Sequence, residues 1–178
     1  MPITLVVSLS ADNGFTSVSR AALLGWGTVF GGFLVYAKLN TGGFLFPDYA
    51  NLMIHEVGHT AFGWASYYTV ILGGTLLQLI VPLACVLMFI HRGETTAVAA
   101  TAFWFSENLL YVAVYMGDAR RSALPLVGGD ESDWTILFTH WGVINQDLTI
   151  AAWVNGIGWI GMLGTIGWLL WMYAKSSD

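Results

Sequence analysis

The sequence predicts an all-α, polytopic membrane helix bundle of four to five hydrophobic helices. Of its 178 residues 56% are apolar and only 10% are charged, with a mean hydropathy of +0.67. A water-soluble domain carries about 25% charged residues. This chain lacks the charge to cover a surface in water, so its outer face must meet lipid or protein. The apolar residues also gather in uncharged runs of about 20 residues, the length a helix needs to cross a hydrocarbon core. Arg20, Lys38, Arg92 and Lys175 stand at the ends of these runs.

The first helix is predicted over 21–38, between Arg20 and Lys38. Asn40-Thr41-Gly42-Gly43 reads as a turn, and Pro47-Asp48 as the start signal of a second helix over 49–67, with Asp48 as its N-cap. That helix is mixed in polarity and is expected either to span or to be partly re-entrant. A third helix, 69–91, stays uncharged until His91-Arg92, and a fourth, 95–117, holds a single charge, Glu107. Residues 118–148 read as a polar loop that is exposed or folded back over a site; five of the eleven acids fall there, with Arg120 and Arg121. The last helix, 149–175, carries Gly158, Gly161, Gly164 and Gly167, a row of small residues expected to admit a neighbouring helix. Its Trp153, Trp159, Trp168 and Trp171 are expected at lipid or at a membrane border. The apolar stretch 3–9 is short and has no preceding Lys or Arg, so a secretory signal is not expected. With five crossings, Arg20, Arg120 and Arg121 would share one side and Lys38, Arg92 and Lys175 the other, which leaves orientation undecided.

Several classes are excluded. A net charge of −5 with six Lys and Arg offers no basic stripe for phosphates, so no nucleic-acid partner is expected. Cys85 is the single cysteine, which rules out a disulfide framework and a cysteine-based metal site; it reads as a small packing residue.

The chemistry concentrates at His55, Glu56 and His59. Two histidines four apart on a helix share one face, a turn apart, and can bind a single Zn²⁺. Glu56 lies about a quarter-turn away, placed to take a proton from an attacking water without being a ligand. Gly58 keeps the helix surface open beside the motif. A helix in lipid carries such residues for a purpose or a partner; the competing readings are a polar helix–helix contact or ligation of a haem or chlorophyll-type pigment.

A third ligand is needed. Glu107, Tyr111, Tyr115 and Asp118 form one stripe on the fourth helix, bordered by Asn108, and the stripe is expected to face the histidine helix. Asp118, at the helix end, is the first candidate for the third ligand, with Glu107, Glu131 and His140 as alternatives; Glu107 and Asn108 are otherwise expected to pair helices or support a ligand. The segment Gly128-Gly129-Asp130-Glu131-Ser132-Asp133-Trp134 reads on its own as a solvated acidic turn, or else as a loop returning to the metal site with a ligand or a partner for His55 or His59. His140 also suits an interface position. His91 and Arg92 are expected at an interface, and Arg120 and Arg121 at a membrane border or paired with the acidic loop.

His-Glu-Val-Gly-His at 55–59, in an apolar helix, resembles the site-2-protease-like, or M50-type, membrane metallopeptidases. The run Tyr111 to Asp118 would correspond to the second helix from which that family supplies a ligand. Gly117-Asp118 departs from the family's Asp-Gly pair, which often follows Asn-Pro, and no accessory peptide-binding domain is expected. The resemblance implies a Zn²⁺ peptidase acting within or beside a membrane, in the bacterial inner membrane or an equivalent one, with membrane lipid and a membrane protein substrate or partner subunits as its company. The alternatives are a non-catalytic subunit of a photosynthetic or respiratory complex, or a His-ligated pigment or haem carrier.

Overall fold

The computed structural model describes residues 14–40, 42–127 and 131–176. The stretch 3–9, Thr41 of the turn, and Gly128, Gly129 and Asp130 of the acidic segment lie outside the described residues. The elements are α1 (Arg20–Leu39), α2 (Asp48–Ala61), α3 (Tyr67–Arg92), α4 (Thr95–Gly117), α5 (Asp133–His140) and α6 (Asp147–Ser176), with a short 3-10 turn before α6. The all-helical expectation holds, and α1, α3, α4 and the stretch Ile144–Ser176 are long and apolar enough to cross a membrane.

Hydrogen bonds fix which helix ends lie together. The Thr16 amide donates to the Gly93 carbonyl at 2.7 Å, the Thr16 and Thr95 hydroxyls meet, and the Val18 amide reaches Ser176 Oγ at 3.4 Å. The start of α1, the end of α3, the start of α4 and the end of α6 therefore share one end of the bundle. At the opposite end Arg120 Nη2 meets Asp147 Oδ1 at 2.6 Å, Thr135 donates to the Ala119 carbonyl, and Tyr68 stacks on His140.

This arrangement corrects two expectations. First, α2 ends at Ala61 rather than 67. Its 14 residues extend only about 21 Å, short of a hydrocarbon core about 30 Å thick. Asn51 and Trp104 bond side chain to side chain beside the middle of α4, whereas His55 packs on Tyr115 near the α4 end. Thus α2 begins deep and runs back toward the end it came from, the re-entrant alternative. Second, with α2 not crossing, Arg20, Arg92 and Lys175 share one end and Lys38, Arg120 and Arg121 the other. The count stays even, but the grouping expected from five crossings does not hold.

The interval 118–148 is not a plain loop, because it contains α5. Trp134, Leu137 and Phe138 of α5 are buried with Val112, Met116 and Ala119 of α4 and its extension and Ala151 of α6. Their spacing of three and four is that of a helix burying one face.

The glycine row of α6 is only half used. A Cβ on Gly158 would sit 2.8 Å from the Ser106 carbonyl oxygen, and one on Gly161 would strike Ser106 Oγ, so these two admit α4. Nothing lies within 4 Å of a Cβ on Gly164 or Gly167. Each step of three residues falls about 60° short of a full helical turn, and the row rotates off the contact. Trp159 and Trp168 likewise pack against the core, with Phe30, Phe103 and Met162, while Trp153 and Trp171 are exposed as expected.

Candidate metal centre

The α2–α3 hairpin brings the motif into place through three glycines. A Cβ on Gly58, the fourth residue of the motif, would strike the Gly73 carbonyl, and one on Gly73 would lie 2.9 Å from Phe62 Cβ. Gly58 does keep the helix surface open, and the neighbour that uses the opening is α3. A Cβ on Gly74 would sit 2.5 Å from His55 Nε2, so the imidazole rests where any larger residue would stand.

Each histidine has its Nδ1 occupied by an oxygen. His55 Nδ1–H donates to Gln78 Oε1 at 3.1 Å, and His59 Nδ1–H donates to the Val70 carbonyl at 2.9 Å. A backbone carbonyl only accepts, so His59 must carry hydrogen on Nδ1. Both Nε2 atoms then converge on one carboxylate oxygen, Asp133 Oδ2, at 2.9 Å from His55 and 3.3 Å from His59. Asp133 is the first residue of α5, where the helix dipole favours a negative charge. Its amide donates to the Tyr115 hydroxyl at 3.2 Å, and the Tyr115 ring packs edge-on against His55.

Two imidazole lone pairs directed at one anionic oxygen repel unless a cation stands among them. The cation is either a proton or a metal ion. The ligand atoms of His55, His59 and Asp133 all lie within 4.8 Å of one another. Ligands of a tetrahedral ion bound at about 2.0–2.1 Å stand about 3.3 Å apart, close to the two observed separations. The outward nitrogen of each histidine is held by a carbonyl-type oxygen, the support that ligating histidines characteristically have. The three residues therefore fit a metal ion.

In the metal-free protein the proton does this work. Burial would raise the Asp133 carboxyl, but the hydrogen bonds from His55 and His59 outweigh it and hold the group below the usual carboxylate range. The bond to Asp133 raises His59 to about 9, against the opposing effect of burial. The raised His59 contributes stability that is complete below about 6.5, its unfolded value, and disappears as pH rises through about 9. The lowered Asp133 contributes above about 4 and loses its contribution as pH falls through its folded value. A metal ion must displace the His59 proton, so affinity for a divalent metal is expected to rise about tenfold per pH unit between roughly pH 7 and 8.5. Competition with a chromophoric chelator across that range measures the slope; a flat profile would contradict proton displacement.

Gly74→Ala is expected to reduce metal affinity by about a hundredfold while leaving the bundle helical, because the new methyl displaces His55 without touching the α4–α6 contact. Metal content alongside circular dichroism checks both halves of that statement.

The other sequence-predicted residues fall into two groups. Glu56 is half-buried and lines the same cavity as the two histidines, of about 930 Å³; Glu131 lines it too but stands exposed and outside the ligand group. Asp118 is not a ligand in this arrangement. Its Oδ2 accepts the amides of Ala123 and Leu124 at 2.9 and 2.8 Å, and its Oδ1 lies 3.7 Å from Arg121 Nε. It shapes the loop whose Leu124, Pro125 and Leu126 wall the cavity. Glu107 does face α2, but at Asn51, whose Nδ2 donates to Glu107 Oε2 at 3.0 Å and to Asp48 Oδ1 at 3.2 Å. That contact lies deep, along the α2 start, a turn and more from the histidines. Asn108 donates to the Trp104 carbonyl of its own helix, and His140 stacks on Tyr68 at 3.6 Å. Asp48, expected as the N-cap, is instead the first residue of α2, one position inside the cap Pro47, and accepts the Leu45 amide at 2.6 Å.

Two residues of the site escaped the sequence reading. Asp133 belonged to the flagged acidic segment but was not singled out; the signal was an acid opening an apolar 134, 137, 138 pattern. Gln78 is 1% exposed and is an amide within an otherwise apolar spanning stretch, which is itself a mark of function. Comparison with protein-family models, with curated proteins and with solved structures yields no match.

Proposed function

We propose that the chain is a membrane-embedded, zinc-dependent hydrolase that cleaves peptide bonds of membrane-associated substrates. The observation that carries this reading is the convergence of His55 Nε2, His59 Nε2 and Asp133 Oδ2 at the edge of a cavity that Glu56 also lines. Two imidazoles and a carboxylate are the donor set of many catalytic zinc sites, and the motif's resemblance to M50-type peptidases points to the same ion. Zinc bound there supplies Lewis acidity toward a substrate carbonyl and toward water.

The chain's own residues perform the rest. Glu56 takes the proton of the attacking water and passes it to the leaving amine. Gln78 and the Val70 carbonyl hold the two imidazoles in the ligating tautomer, and Tyr115 fixes the backbone of Asp133. Phe44, Tyr111 and Val114 give the cavity an apolar wall that limits water around the reacting groups. A substrate helix must unwind at the cleaved bond, because a helical carbonyl is already hydrogen-bonded. We assign the protein to a bacterial inner membrane or an equivalent membrane.

The rival readings fare less well against the same geometry. Both Nε2 atoms lie within 3.3 Å of one oxygen, too close for a haem or pigment macrocycle to lie among them. A purely structural subunit would be expected to tie Glu56 into a helix contact, whereas Glu56 lines the cavity. The test is cleavage of a reporter peptide spanning the bilayer of proteoliposomes. Activity that is lost to chelator and restored by Zn²⁺ supports the reading; zinc-loaded protein that cleaves no embedded or interfacial reporter contradicts it.

A further inference from the structure

Resting on this hydrolase reading, we propose that the cavity admits apolar substrates that are neutral or amine-bearing near the scissile bond and rejects those bearing carboxylate or phosphate, with Glu131 as the residue that meets the amine. Among the described residues three acids, Glu56, Glu131 and Asp133, line the cavity with His55 and His59, and none of the chain's six Lys and Arg does. Four of the six are engaged elsewhere. Arg120 pairs with Asp147, Arg121 is 82% exposed beside Asp118, and Arg92 and Lys175 lie over the Phe89 and Trp171 rings. Arg20 and Lys38 stand at the two ends of α1, a helix that contributes no residue to the cavity.

The charge balance follows. With a divalent ion bound and both imidazoles neutral, the three carboxylates give the described lining residues and the ion a net charge of about −1. An anionic group entering beside the apolar wall gives up its water and meets no guanidinium or ammonium in return. An amine or a neutral amide meets no such penalty. Of the three acids, Asp133 is committed to the ion and Glu56 to proton transfer. Glu131 is exposed, one residue before the cap of α5, and among the described residues it forms no ion pair. Among the described residues it is the carboxylate left to face the substrate. The specificity is therefore that of an endopeptidase or an amine-directed peptidase. A substrate presenting a free C-terminal carboxylate beside the cleaved bond does not suit the cavity, nor does a phosphodiester lipid.

Three hydroxamates test this on zinc-loaded protein in an uncharged maltoside detergent: Leu-Leu-hydroxamate with a free amine, its acetyl form and its succinyl form. Calorimetric titration should give binding about five- to tenfold tighter for the amine than for the succinyl form, with the acetyl form between, and the spread should shrink in 1 M salt. Glu131→Gln should bring the amine and acetyl forms within about twofold at unchanged zinc content. A succinyl form that binds as tightly as the amine overturns the proposal, as does an amine preference that survives Glu131→Gln. If none of the three binds zinc-loaded protein, the hydrolase reading fails and this proposal with it.

Discussion

Asp133→Ala is expected to lower metal affinity by more than about a hundredfold, beyond the 10–100-fold that loss of a mere supporting group costs. Removing this carboxylate takes away the oxygen on which both Nε2 atoms converge. It also takes away the anion that keeps His59 protonated in the metal-free protein, so the metal-free variant should titrate His59 nearer its ordinary range, as read by imidazole proton resonances. Asp118→Ala is the matched control. It loses two amide hydrogen bonds from the following loop, a destabilisation of about 2–4 kcal/mol, and is expected to retain metal. Metal content measured side by side decides between the two aspartates, and retention by Asp133→Ala with loss by Asp118→Ala would make Asp118 the ligand in place of Asp133.

Glu56→Gln should keep zinc and lower hydrolysis by about 10²–10⁴-fold. The amide has nearly the shape of the carboxylate but cannot take the water's proton. Because Glu56 is outside the ligand group, the ion should remain, and this separates the variant from His59→Ala, which should lose metal and activity together. Reporter cleavage in proteoliposomes and metal content are measured on the same preparations. Undiminished cleavage by Glu56→Gln would remove Glu56 from the proton-transfer role.

The spanning helices were legible because their signal is compositional. Uncharged runs bracketed by Arg20, Lys38, Arg92 and Lys175 end where the helices end, within a residue or two. The second helix was harder, because its length depends on where the chain turns back. Phe62 leaves helical geometry and the Trp64 indole caps the Ala61 carbonyl, local contacts that no periodicity announces. At the site, His55, Glu56 and His59 were legible from spacing alone. Their carboxylate partner was not. Asp118 and Asp133 each stand at a helix terminus, and an acid at a helix end serves equally well as a ligand or as an acceptor for nearby amides. What separates them is the fold of 118–140. Burial of Trp134, Leu137 and Phe138 docks α5 so that its first residue reaches the histidines, while Asp118 turns to the loop amides. Gln78 was hidden for a related reason: only the approach of α2 across Gly73 and Gly74 gives its amide a histidine to hold.

The most direct test of the zinc site is the metal content of the purified protein, prepared in detergent without exposure to chelator and read together with X-ray absorption at the zinc edge. About one zinc per chain is expected, with nitrogen and oxygen neighbours at about 2.0–2.2 Å and no sulfur. Protein that holds no zinc and takes none up when supplied, or zinc in a sulfur-containing shell, would contradict it.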